Sequence, residues 1–167
     1  MRARKNDVSF LNVCDRSGAT HTWEMHSPDT DLCGRRTGNA IRLEGVVAGK
    51  HVKKQFSVDG LPWYQPLTYC LRALVTSGRR ETAFWMIRLD TFRPVKLKAV
   101  KKDVQQLIID GTHVEAQRVR VCPVGILSPF WHGDYWYRLS DGLFLKYHGR
   151  NGPPGSDTTT IRMNKTN

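Results

Sequence analysis

Three Asp-Gly dipeptides stand between runs of alternating apolar and polar residues: Asp59-Gly60, Asp110-Gly111 and Asp141-Gly142. A tight type I′ hairpin needs positive φ at both central residues, and Asp-Gly supplies that at low cost. Each pair therefore predicts a β-hairpin, and three in one chain predict an antiparallel meander. The flanking runs agree. Ile41, Leu43, Gly45 and Val47 alternate with Arg42, Glu44 and Val46, and Ala48-Gly49-Lys50 follows as a turn. Val52, Phe56 and Val58 continue with period two. Asp110-Gly111 separates Val104–Ile109 from His113–Cys122, and Asp141-Gly142 separates Tyr135–Ser140 from Leu143–His148.

Further strands follow from the same pattern. Val95, Leu97 and Ala99 alternate with Lys96 and Lys98, giving a strand with one basic face. Ala83, Trp85, Ile87 and Leu89 alternate with Phe84 and Met86, so that strand is apolar on both faces and reads as central or cavity-lining. In His113–Cys122 the apolar phase changes between Ala116 and Val119, which predicts a bulge near Gln117-Arg118. Val8–Cys14 and His21–His26 read as two strands, residues 27–39 as a loop, and Thr158–Ile161 as a closing strand.

One segment has another period. Leu67, Cys70, Leu71, Leu74 and Val75 recur at three and four, with Pro66 before them and Gly78 after. This predicts a single amphipathic helix over 65–77. The expected fold is mainly β: a curved antiparallel meander closing into a single β-barrel, with that helix against one opening. The whole chain, 1–167, reads as one domain, with 1–7 and 164–167 as flexible ends.

Composition narrows the function classes. The chain has 167 residues, 26 Lys plus Arg against 15 Asp plus Glu, and a net charge of +11. Such a charge attracts polyanions, so nucleic acid is one expected partner. Its best-placed contacts are Lys53, Lys54, Lys96, Lys98, Arg138 and Lys146. Tyr137-Arg138 and Lys146-Tyr147 interleave rings with charge on neighbouring strands, Tyr137 counting across to 145–147 around Asp141-Gly142. The longest stretch without a charged residue, Val121 to Gly133, is 13 residues and holds two prolines, so no membrane-spanning helix is expected. The N-terminus carries no secretory h-region; the chain as written is expected to be cytoplasmic, and periplasmic if a leader has been removed.

Motifs of known chemistry are few. Cys14, Cys33, Cys70 and Cys122 are spaced 19, 37 and 52 apart, which fits no metal-ligand pattern. His26, Asp29, Asp31 and Cys33 lie close in sequence but match no established metal motif. No metal and no cofactor is expected. His132 and Asp134, two apart, form a weak candidate base and orienter for a hydrolase-like enzyme, with no G-x-S-x-G serine to serve.

The aromatic residues carry the leading expectation. Trp63-Tyr64 precede the helix, Trp85 lies between Phe84 and Met86, and 130–137 reads Phe-Trp-His-Gly-Asp-Tyr-Trp-Tyr. Trp63, Tyr64, Trp85, Trp131, Tyr135 and Trp136 would line a cavity for an apolar or amphipathic small molecule or lipid. The protein would then be a non-catalytic binding domain.

These segments together carry a resemblance. Pro-Trp-Tyr-Gln-Pro at 62–66, Phe-Trp-Met-Ile-Arg at 84–88, Asp110-Gly111, the 130–137 cluster, Ser-Asp-Gly-Leu-Phe-Leu-Lys-Tyr at 140–147 and Gly-Pro-Pro-Gly at 152–155 follow one another in order. The chain resembles, over about residues 40–163, an uncharacterised bacterial family of domains of unknown function with an antiparallel β-barrel fold. The resemblance implies that fold and hands over no catalytic residues. In outline the family is similar to envelope-associated barrels suspected of binding apolar ligands.

Overall fold

The computed structural model describes residues 8–125, 131–150 and 158–162. Eleven strands are described: β1 (Ser9–Cys14), β2 (Thr20–Ser27), β3 (Thr30–Thr37), β4 (Ala40–Val47), β5 (Lys50–Ser57), β6 (Glu81–Arg88), β7 (Arg93–Ile109), β8 (Thr112–Pro123), β9 (Gly133–Arg138), β10 (Phe144–Arg150) and β11 (Thr158–Arg162). They form two antiparallel sheets, β1-β2-β3-β4-β5 and β11-β10-β9-β8-β7-β6. The meander is there, but neither sheet closes on itself, which corrects the single barrel.

A short extended segment, residues 62–65, joins the two sheets. Thr20 N–H donates to the Trp63 carbonyl at 2.8 Å on the β2 side. On the β6 side Tyr64 N–H donates to Trp85 O at 2.9 Å, and Trp85 N–H donates to Pro62 O at 2.8 Å. The free edge of β6 is thereby paired, and the strand that reads as central does have both edges engaged. Its two apolar faces serve two cores. Phe84 and Met86 meet the core that holds Tyr64, Leu71, Leu74, Leu97, Val119, Val121 and Tyr137. Trp85 and Ile87 meet the core of the smaller sheet, with Trp23, Leu32, Ile41, Leu43 and Trp63.

The helical segment is shorter than expected and broken. One turn, α1, covers Leu67–Cys70 and a second, α2, covers Arg72–Val75, separated by Leu71. The apolar period survives: Leu67, Cys70, Leu71, Leu74 and Val75 are all buried against the larger sheet. The fully buried Tyr137 hydroxyl fastens α1 to that sheet by donating to Leu67 O at 2.9 Å.

Turn chemistry splits the three Asp-Gly pairs. Asp110 and Gly111 have φ of 48° and 77°, as a type I′ hairpin requires. Ala48 and Gly49, with 48° and 74°, make a second such turn. At Asp141-Gly142 only Gly142 has positive φ, and Arg138 and Leu143 close a longer loop. Asp59-Gly60 is not a hairpin at all. It leads from β5 towards α1, held by the Arg36 guanidinium on the carbonyls of Asp59 and Leu61.

Two further expectations change. Residues 30–37, read as loop, are β3; its inward positions are Thr30, Leu32 and Gly34, too few apolar side chains to signal a strand. The bulge lies on β7, where Lys102 and Asp103 together oppose Arg118 of β8. The Gln117 amide donates to the Lys102 carbonyl at 2.9 Å, so the bulge is tied to the predicted site from the opposite strand. The phase change in β8 reflects a change of covered face. Ala116 packs with Trp136, Leu145, Leu107 and Val114 on the back of the sheet, while Val119 and Val121 face the main core.

Candidate functional site

The six aromatic residues expected to line one cavity are divided by the pleat of their strands. Trp63 is fully buried in the smaller core and Tyr64, its neighbour, in the larger one. Trp85 is half-buried on the face of β6 that meets the smaller core. Trp136 lies on the back of the larger sheet, where its indole N–H donates to Gln105 Oε1 at 2.9 Å and the Lys146 ammonium stands 4.8 Å over its ring. Trp131 and Tyr135 are both half-buried against the same larger core that holds Tyr64.

Around those two the inner face is aromatic and incompletely covered. The Tyr135 ring is 4.7 Å from the Tyr147 ring and 6.4 Å from that of Phe144. Register explains the grouping: Tyr135 pairs with Tyr147 across β9 and β10, and Tyr137 with Phe144. An extra residue at Leu145 shifts that pairing from simple counting around Asp141-Gly142, so Tyr137 meets Phe144 and Lys146 meets Trp136. Glycines shape the floor. A Cβ at Gly149 would stand 2.4 Å from the Tyr147 hydroxyl, and one at Gly133 2.8 Å from its ring. The Tyr147 ring therefore lies down along this paired glycine step. Burial pushes the phenols of Tyr135, Tyr137 and Tyr147 above the usual tyrosine value, so all three stay protonated at neutral pH. Met86 and Val95, paired on β6 and β7, continue the same half-covered face. Tyr147, Phe144, Met86 and Val95 were not among the site residues expected from sequence; the available signal for Tyr147 was its place opposite Tyr135, and for Met86 its place on the second apolar face of β6.

The basic residues expected to meet a polyanion are spread over both sheets and mostly engaged. Lys53 faces Glu44 at 3.9 Å, Lys98 faces Glu81 at 2.9 Å, and Arg138 faces Asp141 at 2.6 Å. Lys96 binds Asp59 at 2.5 Å and stands 5.0 Å over the Trp85 ring. Lys54 donates to the Thr91 carbonyl at 3.2 Å, beside Phe92. These contacts neutralise the basic face of β7 and tether β5 to the turn after β6.

His132 and Asp134 diverge. Asp134 is buried on the back of β9, where both oxygens accept from Arg120 at 2.9 and 3.0 Å and Arg118 lies 3.7 Å away. His132 is exposed, and no hydrogen bond joins the two. Their arrangement is that of a structural ion pair beside a surface histidine. His26 lies between Glu24 and Asp31 on the outer face of the smaller sheet, at 3.5 and 3.0 Å. Among the described residues no group of three or more His, Cys, Asp or Glu is placed to hold a metal ion. The four cysteines are free thiols, Cys70 buried and the others half-buried. Among the described residues no helix is long and apolar enough to cross a membrane. The expected ends, 1–7 and 164–167, and the Gly-Pro-Pro-Gly at 152–155 lie outside the described residues.

Fold and face together define a mainly antiparallel β protein of two sheets joined through residues 62–65, with helical turns over part of an aromatic inner surface. Among solved structures the chain is similar to the beta-barrel-like protein of domain of unknown function DUF1849 from Brucella abortus, at 9% identity and a TM-score of 0.58, covering 94% of this chain and 72% of that one. The likeness is one of fold, and at that level the expected resemblance to a bacterial domain of unknown function holds. No family model matches the chain, and no curated protein matches it.

Proposed function

We propose that the protein is a non-catalytic binding domain whose ligand, an apolar or amphipathic small molecule, lies on the inner face of the larger sheet. The observation that carries this reading is the set of half-covered residues Trp131, Tyr135, Phe144, Met86 and Val95 at the margin of the main core. Partly buried apolar side chains at the edge of a core offer an apolar ligand contact area without unfolding the core. The site is thus narrower than the sequence implies: Trp131 and Tyr135 belong to it, while Trp63, Tyr64, Trp85 and Trp136 support the fold around it.

The test is titration with the apolar fluorophore N-phenyl-1-naphthylamine. Enhancement of its emission, with energy transfer from tryptophan that falls in Trp131→Phe, is the expected result. No enhancement, or transfer indifferent to Trp131→Phe, overturns the reading.

A further inference from the structure

The sheet edges are not protected alike. The β6 edge is paired with residues 62–65. The β5 edge carries Lys50, Lys53 and Lys54, all exposed, and like charges on an edge turn away a second copy of the same strand. β1, the opposite edge of the smaller sheet, has neither device. Residues 8–14 read Val-Ser-Phe-Leu-Asn-Val-Cys, without a charged residue or a proline. Among the described residues β1 pairs with β2 alone. Val8, Phe10, Leu11 and Val13 project along it, each between 41% and 54% exposed. Single exposed apolar residues are ordinary, but four within six consecutive positions of an edge strand make a surface for another strand.

We propose that β1 is a homodimer interface: β1 of a second copy of this chain adds antiparallel to it and joins the two smaller sheets into one. Charge favours a copy as the occupant. The chain carries +11, so two copies repel over most of their surface, but at β1 they meet with no charge in either strand. The same meeting at β5 would set lysine against lysine. A two-fold axis perpendicular to the sheet keeps the two faces of each strand, so opposite residues share a face. With the axis at Leu11, the middle of the uncharged stretch, Leu11 meets Leu11, Ser9 meets Val13, Phe10 meets Asn12 and Val8 meets Cys14. Leu11 and Val13 of both copies then form one apolar row on the outer face. On the other face the Phe10 ring, 6.2 Å from that of the buried Trp23, carries the smaller core to the seam. Glu24 lies opposite Leu11 on β2. The Glu24 residues of the two copies are therefore three strand spacings apart, about 14 Å, beyond the reach of their repulsion at physiological salt.

Analytical ultracentrifugation of the full chain, from low to high micromolar concentration, tests the pairing. The expected result is a mass that rises from 19.1 kDa towards twice that value. Leu11→Lys puts two ammonium groups on the axis and should weaken dimerisation about tenfold or more. Leu11→Glu should do the same, and an equimolar mixture of the two variants should dimerise again. Leu11 is already exposed, so both variants should keep their strands, which circular dichroism checks. Ile108→Lys, at a 67% exposed position of β7, is the control and should leave dimerisation unchanged. A wild type that keeps the single-chain mass at every concentration overturns the proposal. So does a dimer indifferent to Leu11→Lys, or a mixture of the two variants that stays monomeric.

Discussion

The Gln65 side chain pairs with the backbone of Ile87 as another strand would. Its Oε1 accepts the Ile87 N–H at 3.1 Å and its Nε2 donates to the Ile87 carbonyl at 3.3 Å. Oε1 also lies 3.4 Å from the Trp63 indole nitrogen, and the Gln65 backbone exchanges bonds with Thr20 Oγ1 at 3.1 Å each way. The side chain thereby extends the edge pairing of β6 beyond Tyr64, at the point where the two sheets meet. Gln65→Leu keeps volume but leaves two buried backbone groups of Ile87 unpaired. We expect a loss of about 2–4 kcal/mol by urea denaturation. A loss below about 0.5 kcal/mol would show that the junction does not depend on this amide.

Asp59 holds three donors: Lys96 Nζ at 2.5 Å, the Trp85 indole N–H at 2.7 Å and Leu61 N–H at 3.1 Å. The Lys96 bond above all, then that of Trp85, lowers its pKa to about 2. A carboxylate with a depressed folded pKa stabilises above its unfolded value, near 4, and that stabilisation fades as pH falls through about 2. Asp59→Asn should therefore unfold more easily than the wild type at neutral pH, with the gap closing between about pH 4 and 2. Thermal melts across that range read it. A gap independent of pH would assign the loss to geometry and not to charge.

What could be read from the sequence was decided by side-chain period and turn residues. The strands around Ala48-Gly49 and Asp110-Gly111 were legible because alternation and positive-φ turns agree there. β3 was not, because Gly34 and Thr30 occupy inward positions that apolar residues usually mark. Asp59-Gly60 misled because its dipeptide has a second use: Asp59 is a tether for Trp85 and Lys96, which lie in strands far along the chain. Closure of a barrel depends on edge partners, and the 62–65 segment that joins the sheets has no period of its own. The candidate site was half legible. Trp131 and Tyr135 drew attention by density of rings, but Trp136 between Tyr135 and Tyr137 points to the opposite face.

Gly34 sits where the Trp63 ring passes. A Cβ there would be 2.8 Å from Trp63 Cη2 and 3.1 Å from Leu43 Cδ2, inside a core that is fully buried. Gly34→Ala should cost about 1–3 kcal/mol through overpacking. Pairing the change with Leu43→Val should recover part of that loss by making room for the methyl group. The measurement is the urea midpoint of the single and double variants. If the single variant matches the wild type, the ring has space to move and the close fit is not a constraint.

Asp134 and His132 separate a structural reading of 131–136 from a catalytic one. The Asp134 carboxylate is buried between Arg120 and Arg118, whose side chains are 34% and 26% exposed. Asp134→Ala leaves both guanidiniums without this partner, and solvent access to them limits the cost to about 1–2 kcal/mol. His132 is exposed at the surface, so His132→Ala should change stability by less than about 0.5 kcal/mol. In the ligand titration neither substitution should move affinity more than twofold, since Asp134 faces the back of the sheet and the half-covered face is on the other side. Equal losses of stability, or a His132→Ala variant that loses an ester-hydrolysing activity present in the wild type, would return the pair to a catalytic role.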